Sequence, residues 1–123
     1  MDILTKHDIE KRTHNYAVQA IKLAKSIEKD DINRILVRQY VRSGTSIGAN
    51  VTEAQAASSR KDFVNKMQIA SKEARETKYW LSIMRDTEID TKAKLTENIQ
   101  EVDQIINIIT AIVKSTQKNE AYL

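Results

Sequence analysis

Six cationic side chains in the middle of the sequence have the types and spacing that bind phosphate. Three arginines follow one another at intervals of four, and three further cations form a second group; together they are Arg34, Arg38, Arg42, Lys72, Arg75 and Lys78. Residues three or four apart lie on the same face of an α-helix. Arginine can bind phosphate with two parallel hydrogen bonds. The sequence therefore predicts a nucleic-acid-binding surface made by these six residues.

Two other interpretations of the same cations stay open. An acidic protein partner would dock on the same face, or the chain's own carboxylates would make it an ordinary solvated surface. Glu73 and Glu76, which alternate with the second group, are expected to neutralise part of the charge. Residues 34–85 hold ten Lys or Arg against four Asp or Glu, whereas residues 86–123 hold four against seven. This uneven balance favours nucleic acid as the partner.

Residues that carry catalysis or hold metals are scarce. The chain has no cysteine and two histidines, His7 and His14. On one helix they would stand about 10 Å apart, too far to share one metal. No Glu is followed by His at the spacing that di-iron bundles use. We expect a protein that is not an enzyme, with no metal and no other cofactor.

The elements that would position the cations are helices. The chain of 123 residues has no proline and two glycines, whereas sheet proteins need many turns built from Gly and Pro. Apolar or small residues recur at intervals of three and four in three segments, the spacing of one helical stripe. The three stripes are Ile9, Thr13, Tyr16, Ala20, Leu23 and Ile27; Phe63, Met67, Ala70, Ala74, Thr77, Leu81 and Met84; and Leu95, Ile99, Val102, Ile106, Ile109 and Val113.

A looser apolar pattern between the first two stripes predicts a further helix. Its members are Ile32, Ile35, Leu36, Tyr40, Ile47, Val51 and Ala54. The four helices are predicted near 6–29, 32–57, 60–86 and 91–116, with Asp31, Ser59 and either Asp90 or Thr91 as N-caps. Short loops make neighbouring helices antiparallel. The sequence therefore predicts an all-α fold, one domain over 1–123, arranged as an up-down-up-down four-helix bundle.

Gly44 and Gly48 fall inside the second predicted helix, where each costs about 1 kcal/mol relative to Ala. We interpret them as a site of close packing or a kink. A phosphate-binding loop is not favoured, because its Gly-Lys-Ser/Thr ending is missing. Asn50 and Glu53, further along the same helix, are expected to form a buried polar contact that fixes the helix register.

The last predicted helix is more apolar than a single stripe requires. A second line of isoleucines runs beside the first, and two aromatic residues flank the stripe of the third helix. A second line indicates either a deeply buried helix or a surface that packs against another subunit. The candidate residues for an oligomer interface are Ile105, Ile108, Ile112, Tyr79 and Trp80.

The sequence shows no membrane or export signal. No apolar run approaches the roughly 18–20 residues that span a bilayer. The N-terminus lacks the basic start and apolar stretch of a secretion signal. We therefore expect a cytoplasmic protein without a membrane partner.

Two blocks of the sequence resemble a bacterial family. One covers residues 42–54, RSGTSIGANVTEA, and the other covers residues 61–63, KDF, and 69–81, IASKEARETKYWL. Both resemble the four-helix-bundle proteins encoded by intervening sequences in bacterial 23S ribosomal RNA genes, a family sometimes labelled as ribosomal proteins. The resemblance covers nearly the whole chain.

The resemblance implies an antiparallel four-helix bundle that assembles into a barrel-shaped pentamer and has no catalytic residues. A related branch, the accessory proteins of diversity-generating retroelements, partners a reverse transcriptase and is basic enough to bind nucleic acid. We therefore expect a homo-oligomer, pentameric by resemblance, whose basic helices bind structured RNA. The alternative is a protein–protein adaptor or scaffold, such as a reverse-transcriptase accessory protein, with no direct nucleic-acid role.

Overall fold

Four helices make up the computed structural model, which describes residues 6–120. They are α1 (Lys6–Ser26), α2 (Asp31–Gln55), α3 (Arg60–Asp86) and α4 (Lys92–Glu120). Within that range the chain forms no strand. The predicted all-α fold is confirmed, and the predicted helix ends lie within a few residues of the observed ones.

Short polar side chains cap the starts of three helices. Asp30, where the sequence suggested Asp31, caps α2: its carboxylate accepts two backbone N–H bonds, at 2.7 and 3.0 Å. Ser59 caps α3 as predicted, with one such bond of 3.0 Å. The hydroxyl of Thr91 accepts a bond of 3.3 Å at the start of α4. These bonds satisfy N–H groups that the first turn of a helix leaves without partners.

The helices form an antiparallel four-helix bundle. Ser43 of α2 meets Thr77 of α3. Glu53, later in α2, pairs at 3.2 Å with Lys66, earlier in α3. The two helices therefore run in opposite directions. Among neighbouring helices, contact is most extensive between α2 and α3, followed by α3 with α4 and α1 with α2, and it is smallest between α1 and α4.

One hydrophobic core runs between the helices. The predicted stripes of α1, α3 and α4 are buried throughout. In α2 the prediction is partly wrong, because Ile32 and Ile35 are 67% and 60% exposed while Val37 is buried. Val37 precedes the buried Tyr40 by three residues and so shares its face, whereas Ile35 lies on a different one.

The glycines of α2 lie where α1 approaches most closely. A Cβ added at Gly44 would lie 3.3 Å from the Cβ of Ala20, and one at Gly48 would lie 3.2 Å from the backbone oxygen of Thr13. Larger side chains at these positions would push the two helices apart. The close-packing interpretation of the glycines is confirmed.

Two buried hydroxyl pairs connect α2 to its neighbours. The hydroxyls of Tyr16 and Tyr40 lie 2.9 Å apart, as do those of Ser43 and Thr77. All four residues are buried. An unpaired buried hydroxyl costs free energy, so the tyrosine pair favours one register of α1 on α2. Ser43 and Thr77 also bond carbonyls of their own helices, at 3.3 and 2.8 Å, and their mutual bond adds a contact between α2 and α3 in the observed register.

Asn50 and Glu53 do not have the role that the sequence suggested. Asn50 donates a hydrogen bond to the carbonyl of Ser46 in its own helix. The side chain of Glu53 is 62% exposed and pairs with Lys66 at the surface. The register is therefore favoured by the buried hydroxyl pairs and not by these two residues.

Across residues 6–120, no helix combines enough length with enough apolar character to cross a bilayer.

Candidate nucleic-acid interface

The six predicted phosphate-binding cations lie on α2 and α3, the two helices in most extensive contact. All six are exposed: Arg34, Arg38 and Arg42 on α2, and Lys72, Arg75 and Lys78 on α3. The two groups, separate in sequence, therefore occupy neighbouring helices in one half of the bundle.

Arg42 belongs to a network that joins α2 to α3. Its guanidinium donates a hydrogen bond to Glu76 and another, of 3.4 Å, to Glu73. Glu76 also accepts a bond of 3.0 Å from the indole N–H of Trp80. The hydrogen bonds from Trp80 and Arg42 lower the pKa of Glu76, and the bond to Glu76 raises the pKa of Arg42. The two glutamates thus neutralise part of the charge, as the sequence suggested.

Lys78 and Arg34 also have carboxylate partners. Lys78 pairs at 2.8 Å with Asp103 of α4, so its ammonium is drawn to the α4 side of α3. Arg34 pairs at 3.3 Å with Asp31, one turn earlier in the same helix. The carboxylate side chain of Asp31 is fully exposed, and pairs between solvated charges contribute little. Arg34 is therefore held less firmly than Arg42.

Arg38, Lys72 and Arg75 are the cations of the set without an ion-pair partner among the described residues. Arg38 lies one helical turn before Arg42 on α2. No carboxylate of residues 6–120 forms an ion pair with these three side chains, although the charge of Lys72 is close enough to Glu76 to help lower the pKa of that carboxyl. They are available to bind an external anion.

The five residues predicted to form an oligomer interface differ in their exposure. Ile105 and Ile112 are 0% and 6% exposed in the chain's own core, and Ile108 packs partly against that core. Intrachain burial therefore accounts for the second line of isoleucines, and Ile105 and Ile112 offer no surface to a second copy. Tyr79 is 57% exposed, and Trp80 is partly buried.

The two aromatic residues belong to the cationic face. The ring centroids of Tyr79 and Trp80 lie 5.1 Å apart with their planes at 65°. Trp80 is tied to Arg42 through Glu76. Two sites that the sequence presented as separate therefore meet on one surface. The spacing of four residues between Glu76 and Trp80 was the available sequence signal.

Four more large apolar side chains are exposed elsewhere on the described helices. They are Val18 and Ile21 on α1, at 41% and 36%, and Ile32 and Ile35 near the start of α2. Sequence reasoning missed Val18 and Ile21 because they fall outside the stripe of α1. Three residues apart, they share one outward face of that helix.

A polar groove lies between α1 and α4, the neighbouring helices in least contact. Its volume is about 600 Å³, and its lining residues are Gln19, Glu97, Asn98, Gln100, Glu101 and Gln104. Arg12 of α1 bridges to Glu101 with two bonds of 2.8 and 2.9 Å. Within residues 6–120 no three His, Cys, Asp or Glu residues are grouped so that they could hold a metal ion.

Comparison with known proteins places the chain in a family. Residues 5–111 match the model of the 23S rRNA-intervening sequence proteins. No curated protein sequence matches the chain. A crystal structure from Bacteroides thetaiotaomicron, described as a protein with unknown function from the S23 ribosomal protein family, is similar with a TM-score of 0.84 and 36% identity, over 89% of this chain and 97% of that one. Neither description assigns a catalytic activity. The chain belongs to the 23S rRNA-intervening sequence protein family.

Proposed function

We propose that this protein is a non-catalytic, cytoplasmic RNA-binding module that holds structured RNA on its α2–α3 face. The observation that carries the proposal is the set of three cations without ion-pair partners in the described chain, Arg38, Lys72 and Arg75, on neighbouring exposed helix faces. Phosphate contacts of this kind are electrostatic and carry little sequence information.

The other three cations have a smaller part in the proposal. Arg42 is engaged by two glutamates and Lys78 by Asp103. An incoming phosphate would have to compete with these carboxylates. Arg34 is held only by an exposed aspartate and can join the contact more easily. We therefore assign the main phosphate contacts to the three unpaired cations and secondary contacts to these three.

The experiment compares two triple variants that remove the same charge from different faces. One is Arg38→Ala with Lys72→Ala and Arg75→Ala. The matched control removes three exposed lysines of α1 and α4, by Lys11→Ala, Lys25→Ala and Lys114→Ala. The slope of log affinity for an RNA hairpin against log salt counts phosphate contacts. We expect the magnitude of this slope to fall by about 2–3 in the first variant and to stay unchanged in the control. Equal slopes in both variants would contradict the site.

We also propose that the protein self-associates, and that its assembly is pentameric by resemblance. Since Ile105 and Ile112 are buried within the chain, the contact needs other apolar residues. Val18 and Ile21 form an exposed apolar pair on α1, a helix that carries none of the six cations. We assign the main self-association contact to this pair.

A second candidate function is a docking face for an acidic protein. Ile32 and Ile35 are exposed beside Arg34 and Arg38, and a mixed apolar and basic surface suits an acidic amphipathic partner. Competition separates the two functions. An acidic candidate that binds this face and is not displaced by RNA would favour the adaptor, whereas RNA binding that such a protein cannot inhibit favours the RNA module.

A further inference from the structure

Tyr79 is the most exposed aromatic residue in the described part of the chain, at 57%. Arg75 precedes it by four residues and Lys72 by seven, so all three lie on one strip of α3, along about 10 Å of helix axis. Neither cation has an ion-pair partner among residues 6–120. An aromatic ring and two unpaired charges therefore share one exposed surface.

The ring of Tyr79 is held by its neighbours. It makes an edge-type contact with Trp80, at 5.1 Å between centroids and 65° between planes. Trp80 in turn donates its indole N–H to Glu76, which is bonded to Arg42 of α2. The network restrains Trp80 before any ligand arrives, and the edge contact with Trp80 limits where the ring of Tyr79 can lie. A restrained ring loses less conformational freedom on binding than a free one.

We propose that Tyr79 is a stacking platform for an unpaired base, with Arg75 and Lys72 binding the adjoining phosphates. The inference rests on the proposed RNA-binding function and narrows its ligand to RNA with unpaired nucleotides, as in loops, bulges and single strands. Inside a duplex each base is already stacked between neighbours, so Tyr79 gains a base face only at the two ends. Surfaces that bind single strands combine cationic backbone contacts with aromatic rings in this way.

The test measures binding to two RNAs by fluorescence anisotropy. One is a 12-nucleotide CAA-repeat strand that cannot pair with itself, and the other is a blunt duplex of 12 base pairs. We expect Tyr79→Ser to weaken binding of the single strand by about 5- to 150-fold, the loss of one stacked base. The affinity of Tyr79→Ser for the duplex should change by less than about twofold, because the substitution removes no charge.

Two further variants control for the ring and for general surface effects. Tyr79→Phe keeps the ring and should bind both RNAs as the native protein does. Gln100→Ser changes an exposed, uncharged side chain of α4, a helix that carries none of the six cations, and should leave both affinities unchanged. Trp80 is the one tryptophan of the chain, so its fluorescence is a second readout. It should change when the single strand binds the native protein, and much less in Tyr79→Ser.

The outcomes separate this inference from the function on which it rests. If Tyr79→Ser changes neither affinity while the Arg38, Lys72 and Arg75 variant weakens both, the RNA module stands and the stacking platform is wrong. Equal weakening for both RNAs, or a smaller particle mass for Tyr79→Ser, would also overturn the platform, since the ring would then serve folding or self-association. If the native protein binds neither RNA, both proposals fall.

Discussion

At the scale of single residues, buried hydroxyl groups favour one pairing of the helices. Tyr16 and Tyr40 are almost wholly buried and their hydroxyls share one hydrogen bond of 2.9 Å. Burial raises the pKa of Tyr40 to about 12 and that of Tyr16 well above its ordinary value of 10.0. Both side chains therefore stay neutral at physiological pH, and each hydroxyl depends on the other for a partner.

We expect Tyr40→Phe to destabilise the fold by about 1–3 kcal/mol, because it leaves the Tyr16 hydroxyl buried without its partner. The double variant Tyr16→Phe with Tyr40→Phe should lose less than this single variant, since no hydroxyl is then left unpaired. Urea unfolding of the native protein, both single variants and the double variant measures the coupling. Strictly additive losses would show that the two hydroxyls do not depend on each other.

The lowered pKa of Glu76 predicts a dependence of stability on pH. Hydrogen bonds from Trp80 and Arg42 hold the folded-state pKa below the ordinary value of 4.5. As the pH falls, the unfolded chain binds the proton first. The stabilisation by Glu76 is therefore complete above about pH 4.5, and it is lost as the pH falls through the folded-state pKa, which is lower. We expect the stability advantage of the native protein over Glu76→Gln to shrink between pH 6 and pH 3. An advantage that stays constant in urea unfolding over this range would contradict the assignment.

At the scale of residues, the sequence predicted which side chains carry the surface charge better than it predicted which side chains pair with one another. The sequence suggested that Glu73 and Glu76 neutralise part of the charge of the six cations, whose binding of phosphate stays a prediction. The sequence did not show which cations those carboxylates bind, because Arg42 reaches Glu76 only when α2 and α3 pack in one register. The Ser43–Thr77 pair depends on the same long-range packing, so it carried no local signal.

At the scale of elements, the turn after α3 is closed by a residue in an unfavourable conformation. Glu88 has a φ of 57°, in the left-handed region. Its N–H bonds to the carbonyl of Arg85 at 3.1 Å, and the N–H of Ile89 bonds to that of Met84 at 3.0 Å. This is the pair of bonds of a Schellman motif, in which glycine is the usual left-handed residue.

We expect Glu88→Gly to stabilise the fold by about 0.5–1 kcal/mol, since relief of the left-handed strain exceeds the added entropy of glycine in the unfolded chain. The control is Thr87→Gly, at φ −97°, where glycine relieves no strain and should destabilise. Thermal unfolding of the two variants measures both effects. A lower midpoint for Glu88→Gly than for the native protein would show that the Glu88 side chain contributes more than its backbone strain costs.

Three helices could be read from the sequence because their stripes keep strict spacings of three and four. The second helix was harder, because its apolar residues are divided between two faces: Val37 and Tyr40 point to the core, while Ile32 and Ile35 stay exposed. The N-cap of α2 is Asp30, one residue before the Asp31 that the sequence suggested. Asp30 and Asp31 are chemically equal candidates, and only the backbone geometry distinguishes them.

At the scale of the whole molecule, we expect light scattering on a sizing column to give a particle mass above that of the 14.1 kDa chain. Replacing the apolar pair of α1 by Val18→Asp with Ile21→Asp should return the particle to the monomer mass, because charged residues cannot be buried in the contact. The matched control, Ile32→Asp with Ile35→Asp, should keep the native mass. A native particle of monomer mass at micromolar concentration would contradict self-association.

The distribution of charge over the molecule also bears on its partner. The middle of the chain, residues 34–85, is basic, and the segment after it is acidic. Such an asymmetric charge distribution orients a polyanion toward the α2–α3 face before contact and speeds association at low salt. Arg38, Lys72 and Arg75 then supply unpaired charge at the point of arrival.

The most direct test of the RNA-binding account is the affinity of the native protein for a structured RNA hairpin with an unpaired loop, followed by fluorescence anisotropy from 50 to 200 mM salt. Three to six phosphate contacts predict an affinity loss of roughly 40- to 1,800-fold across that range. Tight binding at low salt with a loss of this size would support the cationic α2–α3 face as an RNA site. No binding at 50 mM salt, or binding that salt leaves unchanged, would contradict it.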